Sequence, residues 1–231
     1  GGPTRSTRFT LAGARAERRS TGAVWQEPGP PDRHAGGRIR LAPGPGRWQG
    51  SAVADRLGGE MVEVLLAEAD IRRQVEAIGR RVTADYAGRP LCLVGVLKGS
   101  FVFLADLVRA IDLPLTVDFI GISSYAGTKS TGVVKITSDL VRPIEGLDVL
   151  LVEDIVDTGL TVRYLLDNLS TRRPASLKVC AMLVKPSRAR VEGPVDYRGF
   201  AIPARFVVGY GLDHDGRFRN LPFVGALRRE R

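Results

Sequence analysis

From about residue 61 onward, apolar and polar positions alternate with two distinct periods, which divide the chain into elements. In AEADIRRQVEAIGRRVTADY (67–86), Ile71, Val75, Ile78 and Val82 recur at helical spacing with charges between them, predicting an amphipathic helix. LCLVGVL (91–97) is an unbroken apolar run of strand length. A second helix is predicted over 100–111, with Phe101, Leu104, Leu107 and Val108 on one face, and a strand over 115–122. Residues 123–148 are polar and contain glycines, and read as a long loop with a hairpin. A short all-apolar strand (149–152), a helix (159–169) and strands over 177–184 and 205–209 follow. Strands apolar on both faces that alternate with helices imply α/β: a central, mostly parallel sheet flanked by helices. Ligands in such sheets bind beyond the carboxyl ends of the strands.

Residues 1–60 show no persistent period and are rich in Gly, Pro, Arg and Ala. Such a segment buries too little apolar surface to offset its ordering entropy, so a disordered basic extension is expected. Its Arg-rich, acid-poor start is compatible with an organellar transit peptide or a nucleic-acid-binding arm. The preferred expectation is translated upstream sequence, with Met61 as the true start. The chain carries a net charge of +9, of which +5 falls in residues 1–60, with ten Arg against five acids. A nucleic-acid partner is therefore not expected. The remaining +4 suits a polyanionic small substrate equally well. No apolar run approaches the ~20 residues of a membrane span. Cys92 and Cys180, the only two cysteines, lie in apolar runs and read as buried free thiols, as in a reducing cytoplasm.

The chemistry is concentrated in VLLVEDIVDTGLT (149–161). An apolar strand ends in Glu153 and Asp154, and Asp157 precedes Thr158-Gly159-Leu160-Thr161 and a helix. Side chains alternate faces along a strand, so both acids can hold one ligand only where the strand gives way to a loop. The helix start brings unpaired N–H groups and a favourable dipole for phosphate. Acids for sugar hydroxyls beside a phosphate cradle suit a ribose 5-phosphate. The plainer alternative is a strand–loop–helix unit with Asp157 or Thr158 as N-cap. Neither a Walker loop nor a dinucleotide fingerprint is present.

VEDIVDTG closely resembles the phosphoribosyl-pyrophosphate signature of type I phosphoribosyltransferases. LVGVLKGSFVFLADL (93–107), SSYAGTKSTGVVKI (123–136), LVKPSR (183–188) and FVVGYGLDHDGRFRNLPFVG (206–225) resemble the hypoxanthine(-guanine) branch. The five segments occur in the family's order over about 170 residues. The resemblance implies a phosphoribosyltransferase domain over 61–231, with a small hood and a mobile loop. It implies Mg²⁺-dependent purine salvage, in which hypoxanthine or guanine is joined to 5-phosphoribosyl pyrophosphate to give IMP or GMP.

Residue by residue, the resemblance implies that Glu153 and Asp154 bind the ribose hydroxyls. Thr158, Gly159 and Thr161, following Asp157, hold the 5′-phosphate. Asp157 also faces purine N7 as general base or acid. Lys98 and Gly99, in a loop with a strained peptide bond, contact pyrophosphate together with Arg219. Lys185 meets the purine O6, Phe206 stacks on the base, and the Val207 backbone reads its far edge. Asp213 joins Glu153 and Asp154 around Mg²⁺. Ser124 and Tyr125 begin the lid. His214 has no assigned role. Family members form homodimers or homotetramers. A pyrimidine-operon regulator on the same fold is the rival reading, disfavoured by the KPSR and FVVGYGLD segments. Adenine- and orotate-specific relatives are disfavoured by Lys185.

Overall fold

The computed structural model describes residues 55–57, 60–124, 134–188 and 195–228. The extension before residue 55, Tyr125 and most of the lid lie outside the described residues.

A six-stranded sheet forms the centre, in the order β5-β4-β3-β6-β7-β8. Its strands are β3 (Leu91–Leu97), β4 (Leu115–Ser124), β5 (Val134–Ser138), β6 (Asp148–Val156), β7 (Ser176–Val184) and β8 (Tyr197–Ala201). All neighbours are parallel except β4 and β5, which form the antiparallel hairpin expected within 123–148. One face packs on α1 (Glu68–Asp85) and α2 (Phe101–Ala110), the other on α3 (Leu160–Ser170). The α/β sheet with helices on both faces is therefore as the apolar strands implied.

The predicted stripe of α1 is the buried one: Ile71, Val75, Ile78 and Val82 are each at most 4% exposed. Each such side chain contributes about 1.5–3 kcal/mol on burial. Gly79 is in this stripe because a Cβ there would lie 2.4 Å from the Ala110 carbonyl oxygen of α2. In α2 the buried stripe is Phe103, Leu104 and Leu107, whereas Phe101 is 44% exposed. Leu104 and Leu107 of the expected face are buried and Val108 packs against the core, so only Phe101 departs from it, with Phe103 buried in its stead. Both cysteines are buried and free.

Two boundaries differ from the sequence reading. β6 does not stop at Val152. It stays paired with β7 through Val156↔Val184 although its pairing with β3 ends at Val152. Residues 205–209 are not a strand of the main sheet: β9 (Val207–Val208) joins a second, antiparallel sheet, β1-β2-β10-β9. Its other members are β1 (Asp55–Leu57), β2 (Glu60–Leu66) and β10 (Val224–Arg228). This small sheet corresponds to the hood, and β1 places ordered chain a few residues before Met61.

Candidate active site

The carboxyl ends of β3, β4, β6 and β7 open on one cavity of about 600 Å³, walled on the hood side by Phe206, Val207, Leu212, Asp213 and Arg219. A pocket of this size suits a drug-sized or nucleotide-sized ligand. A second cavity, of about 420 Å³, lies beside α1, α2 and Tyr210. There the charged and polar groups are largely paired with one another: Arg72 with Glu68 at 2.9 Å, Arg109 with Asp106, and Tyr210 Oη donating to Asp106 at 2.7 Å.

Glu153 and Asp154 sit on the last stretch of β6, where β3 no longer flanks it. The acids are therefore on a strand that has lost one neighbour, rather than in a loop. Glu153 is 4% exposed. Burial, and then the adjacent Asp154, hold its carboxyl well above the usual range. Burial pushes Asp154 up to about 6, against the Ile155 N–H donated to its Oδ1 at 2.8 Å and the more distant Arg219 charge. Among the described residues, no Lys or Arg is ion-paired with either acid. Buried carboxylates without cations are costly. Their presence at a cavity indicates a ligand that supplies hydroxyls or positive charge.

The β3–α2 turn carries Lys98 and Gly99 along the same wall, and the Leu97–Lys98 peptide is cis. A Cβ on Gly99 would lie 1.6 Å from Asp154 Oδ2, so only glycine lets that carboxylate sit against the turn. Gly211 is required likewise: its φ is +98° and a Cβ would lie 2.2 Å from the Gly99 carbonyl oxygen. The hood segment is thereby fastened to the turn.

Asp157 follows β6 and lies opposite Lys185, the residue after β7. Lys185, 8% exposed, donates Nζ–H to Asp157 Oδ2 at 3.2 Å. Arg188 donates Nε–H to Asp157 Oδ1 at 2.5 Å. Neither Asp157 nor Thr158 caps α3; the N-cap is Gly159, at φ +82°. Thr158, Gly159 and Thr161 do not line the cavity but form the entry to α3 directly after Asp157, where the first N–H groups have no helical acceptor.

Asp213 and Arg219 are paired with each other at 2.5 Å; Asp213 also accepts the Gly216 N–H, and Arg219 donates to the Gly211 carbonyl at 2.6 Å. Phe206 is half exposed, and His214 meets its ring edge-on at 5.3 Å. Ser124 ends β4, with Ser123 lining the cavity. Sequence reasoning thus missed Arg188, Ser123 and the contact of His214 with Phe206. Arg188 was within a quoted segment, but its partner could be found only in three dimensions.

A phosphoribosyl transferase domain model matches residues 61–215. Hypoxanthine-guanine phosphoribosyltransferase of Dictyostelium discoideum is 49% identical over 173 residues, covering 73% of this chain and 96% of the relative. The chain belongs to the hypoxanthine-guanine phosphoribosyltransferases. The crystal structure of a hypoxanthine phosphoribosyltransferase from Staphylococcus aureus superposes with a TM-score of 0.69 at 46% identity, covering 72% of this chain and 91% of that one. The Trypanosoma cruzi hypoxanthine phosphoribosyltransferase, solved in complex with the product IMP, gives 0.67 at 44% identity over 71% of this chain and 93% of its own. Within this phosphoribosyltransferase, ten residues named from the sequence line one cavity: Lys98, Gly99, Glu153, Asp154, Asp157, Lys185, Phe206, Val207, Asp213 and Arg219.

Proposed function

We propose that the chain serves purine salvage by transferring the 5-phosphoribosyl group of 5-phosphoribosyl pyrophosphate to hypoxanthine or guanine, releasing pyrophosphate and IMP or GMP. Residues 61–231 are the catalytic domain in this reading. The observation that carries it is the pair Lys185–Asp157 at 3.2 Å, in the cavity that holds the buried acids. An ammonium donor beside a carboxylate acceptor complements a purine edge that presents O6, an acceptor, next to N7–H, a donor. Adenine presents an amino donor at the same place, facing the ammonium, which can only donate.

The purine lies against the exposed face of Phe206, with its far edge at the Val207 backbone. Lys185 donates to O6. Asp157 takes the N7 proton as the N9–C1′ bond forms, a general-base step. Glu153 and Asp154 accept the ribose hydroxyls, and the N–H groups and hydroxyls of Thr158, Gly159 and Thr161 hold the 5′-phosphate. Pyrophosphate departs toward Lys98, the Gly99 backbone and Arg219, whose charges match the developing negative charge. A lid beginning at Ser124 and Tyr125 excludes water from the ribosyl centre.

The residues present fit Mg²⁺. The donors are hard oxygens: Glu153 is buried and Asp154 partly so, neither ion-paired among the described residues, and Asp213 stands across the cavity. When bound, Mg²⁺ neutralises charge on the substrate's pyrophosphate. A cytoplasmic location accords with the buried free thiols Cys92 and Cys180 and with the lack, among the described residues, of a helix able to cross a membrane. Assembly into a homodimer or homotetramer accords with the exposed Phe101, Val117 and Phe119, which the uncovered side of β4 and the start of α2 present.

The test is nucleotide formation by the full chain with Mg²⁺ and 5-phosphoribosyl pyrophosphate, offering hypoxanthine, guanine, xanthine, adenine and uracil in parallel. Product from hypoxanthine and guanine and none from adenine is expected. Product from uracil alone would replace this reading with the pyrimidine-type one.

A further inference from the structure

Asp157 is held by two cations, and only one of them has a place in the reaction. The backbone explains how the second arrives. β6 and β7 run parallel to Val156↔Val184, which sets Asp157 and Lys185 side by side where both strands end. The Lys185 N–H binds the Val156 carbonyl at 2.9 Å, continuing the ladder by one bond. Pro186 then opens a single 3-10 turn, Pro186–Arg188, closed by the Arg188 N–H on the Lys185 carbonyl at 3.0 Å. Proline suits the start of such a turn because its φ is preset and it has no N–H to leave unpaired. The turn folds Arg188 back over the strand ends, so that its Nε reaches Asp157 Oδ1 from the side opposite Lys185.

The two contacts differ. Lys185 is long-stemmed, buried and 3.2 Å from Oδ2; Arg188 is 2.5 Å from Oδ1 and half exposed. The planar guanidinium fixes direction where an ammonium does not. When Lys185 turns to a purine O6, Oδ2 is freed at the point where N7–H arrives, while Oδ1 remains tied.

We propose that Arg188 is a positioning residue: it fixes Oδ1 of Asp157 so that Oδ2 alone faces the purine, and it leaves Lys185 free to exchange Asp157 for the base. This rests on the reaction assigned above. Arg188 does not line the cavity; it acts through Asp157. The residue therefore bears on turnover with a 6-oxopurine, and not on the binding of 5-phosphoribosyl pyrophosphate.

The test compares the parent full chain with Arg188→Ala and Arg188→Lys in steady-state kinetics with hypoxanthine, with thermal unfolding midpoints recorded for each. Arg188→Ala is expected to lower kcat roughly 10–100-fold, the scale of a misplaced catalytic group. The KM for 5-phosphoribosyl pyrophosphate should stay within about twofold, since that binding is not touched. Arg188→Lys, or guanidinium ion added to Arg188→Ala, should recover part of kcat. Arg188→Ala with parental kcat, or a loss that neither lysine nor guanidinium recovers, would overturn the proposal. A parent chain making no nucleotide would overturn the reaction reading instead, and the role of Arg188 with it.

Discussion

The two ends of strand β6 treat acidic residues in opposite ways. At its first residue, Asp148 is 3% exposed, and its carboxylate accepts from Arg89 Nε at 2.9 Å, from the other Arg89 nitrogen, and from Ser176 Oγ. Arg89 precedes β3 and Ser176 opens β7, so Asp148 is fully paired at the amino-terminal edge of the sheet. Beside it Tyr197 Oη donates to Asp85 at 2.7 Å, and Arg81 and Arg89 lie 4.9 and 5.0 Å from the Tyr197 and Tyr86 ring centres, while the buried Tyr86 Oη has no hydrogen-bond partner among the described residues. At the other end, Glu153 is buried and Asp154 partly so, neither is ion-paired among the described residues, and their carboxyls are pushed up. Burial is common to both ends; pairing is not. The base is closed by paired groups, and the top leaves its acids without an ion pair among the described residues.

The contrast can be broken most severely at Asp157. Asp157→Asn should cut kcat by roughly 10²–10⁴, equal to about 3–5 kcal/mol of transition-state stabilisation, with binding of 5-phosphoribosyl pyrophosphate mostly kept. Unchanged turnover would remove Asp157 from the proton transfer. At the base, Asp148→Ala should cost about 2–3 kcal/mol in denaturant unfolding, below the usual figure for a broken buried pair because Arg89 is half exposed. Its kcat, measured well below the unfolding midpoint, should be parental; a large fall in turnover would erase the division between the two ends.

Lys185→Ala should raise the hypoxanthine KM roughly tenfold or more, the worth of a hydrogen bond from a charged donor, and affect 5-phosphoribosyl pyrophosphate far less. Equal damage to both substrates would contradict the edge-matching argument. A further effect is on pH. A carboxyl whose folded pKa lies above its unfolded value binds more protons when folded, so stability falls as pH rises through the interval. For Asp154 that interval runs from the unfolded value near 4 to about 6. The ligand-free chain should therefore lose on the order of 2 kcal/mol from this group between pH 4 and 7. The pH dependence of unfolding in Asp154→Asn should be flatter than in the parent by that amount; identical curves would count against the burial argument.

Much of this was legible in the residues. The Ile71–Val82 stripe and the continuous run of β3 are local patterns, and local patterns survive folding. The acids at 153–154 were read as ending β6 because the apolar run ends there. The strand continues because β7 still offers a backbone ladder, which is a property of the neighbour and not of the segment. Of the hood, only the segment holding β9 was read as a strand; β2 and β10 were missed because they pair across some 160 residues of sequence, Met61 with Arg228. Ten of the site residues quoted in motifs line one cavity, while Thr158, Gly159 and Thr161 lie at the entry to α3 and Ser124 at the end of β4. The pairing of Arg188 with Asp157 and of Asp213 with Arg219 required the turn geometry and could not be read from spacing.

The central claim is that the top of β6 carries burial without pairing because a ligand completes it. The direct test is thermal unfolding of the full chain and of Asp154→Asn at pH 7, each with and without Mg²⁺ and 5-phosphoribosyl pyrophosphate together. The account predicts that Asp154→Asn starts above the parent without ligand, because a costly buried charge is gone, and gains little when ligand is added. The parent should start lower and rise with ligand concentration. A variant that starts lower than the parent, or that gains as much from the ligand, would contradict it.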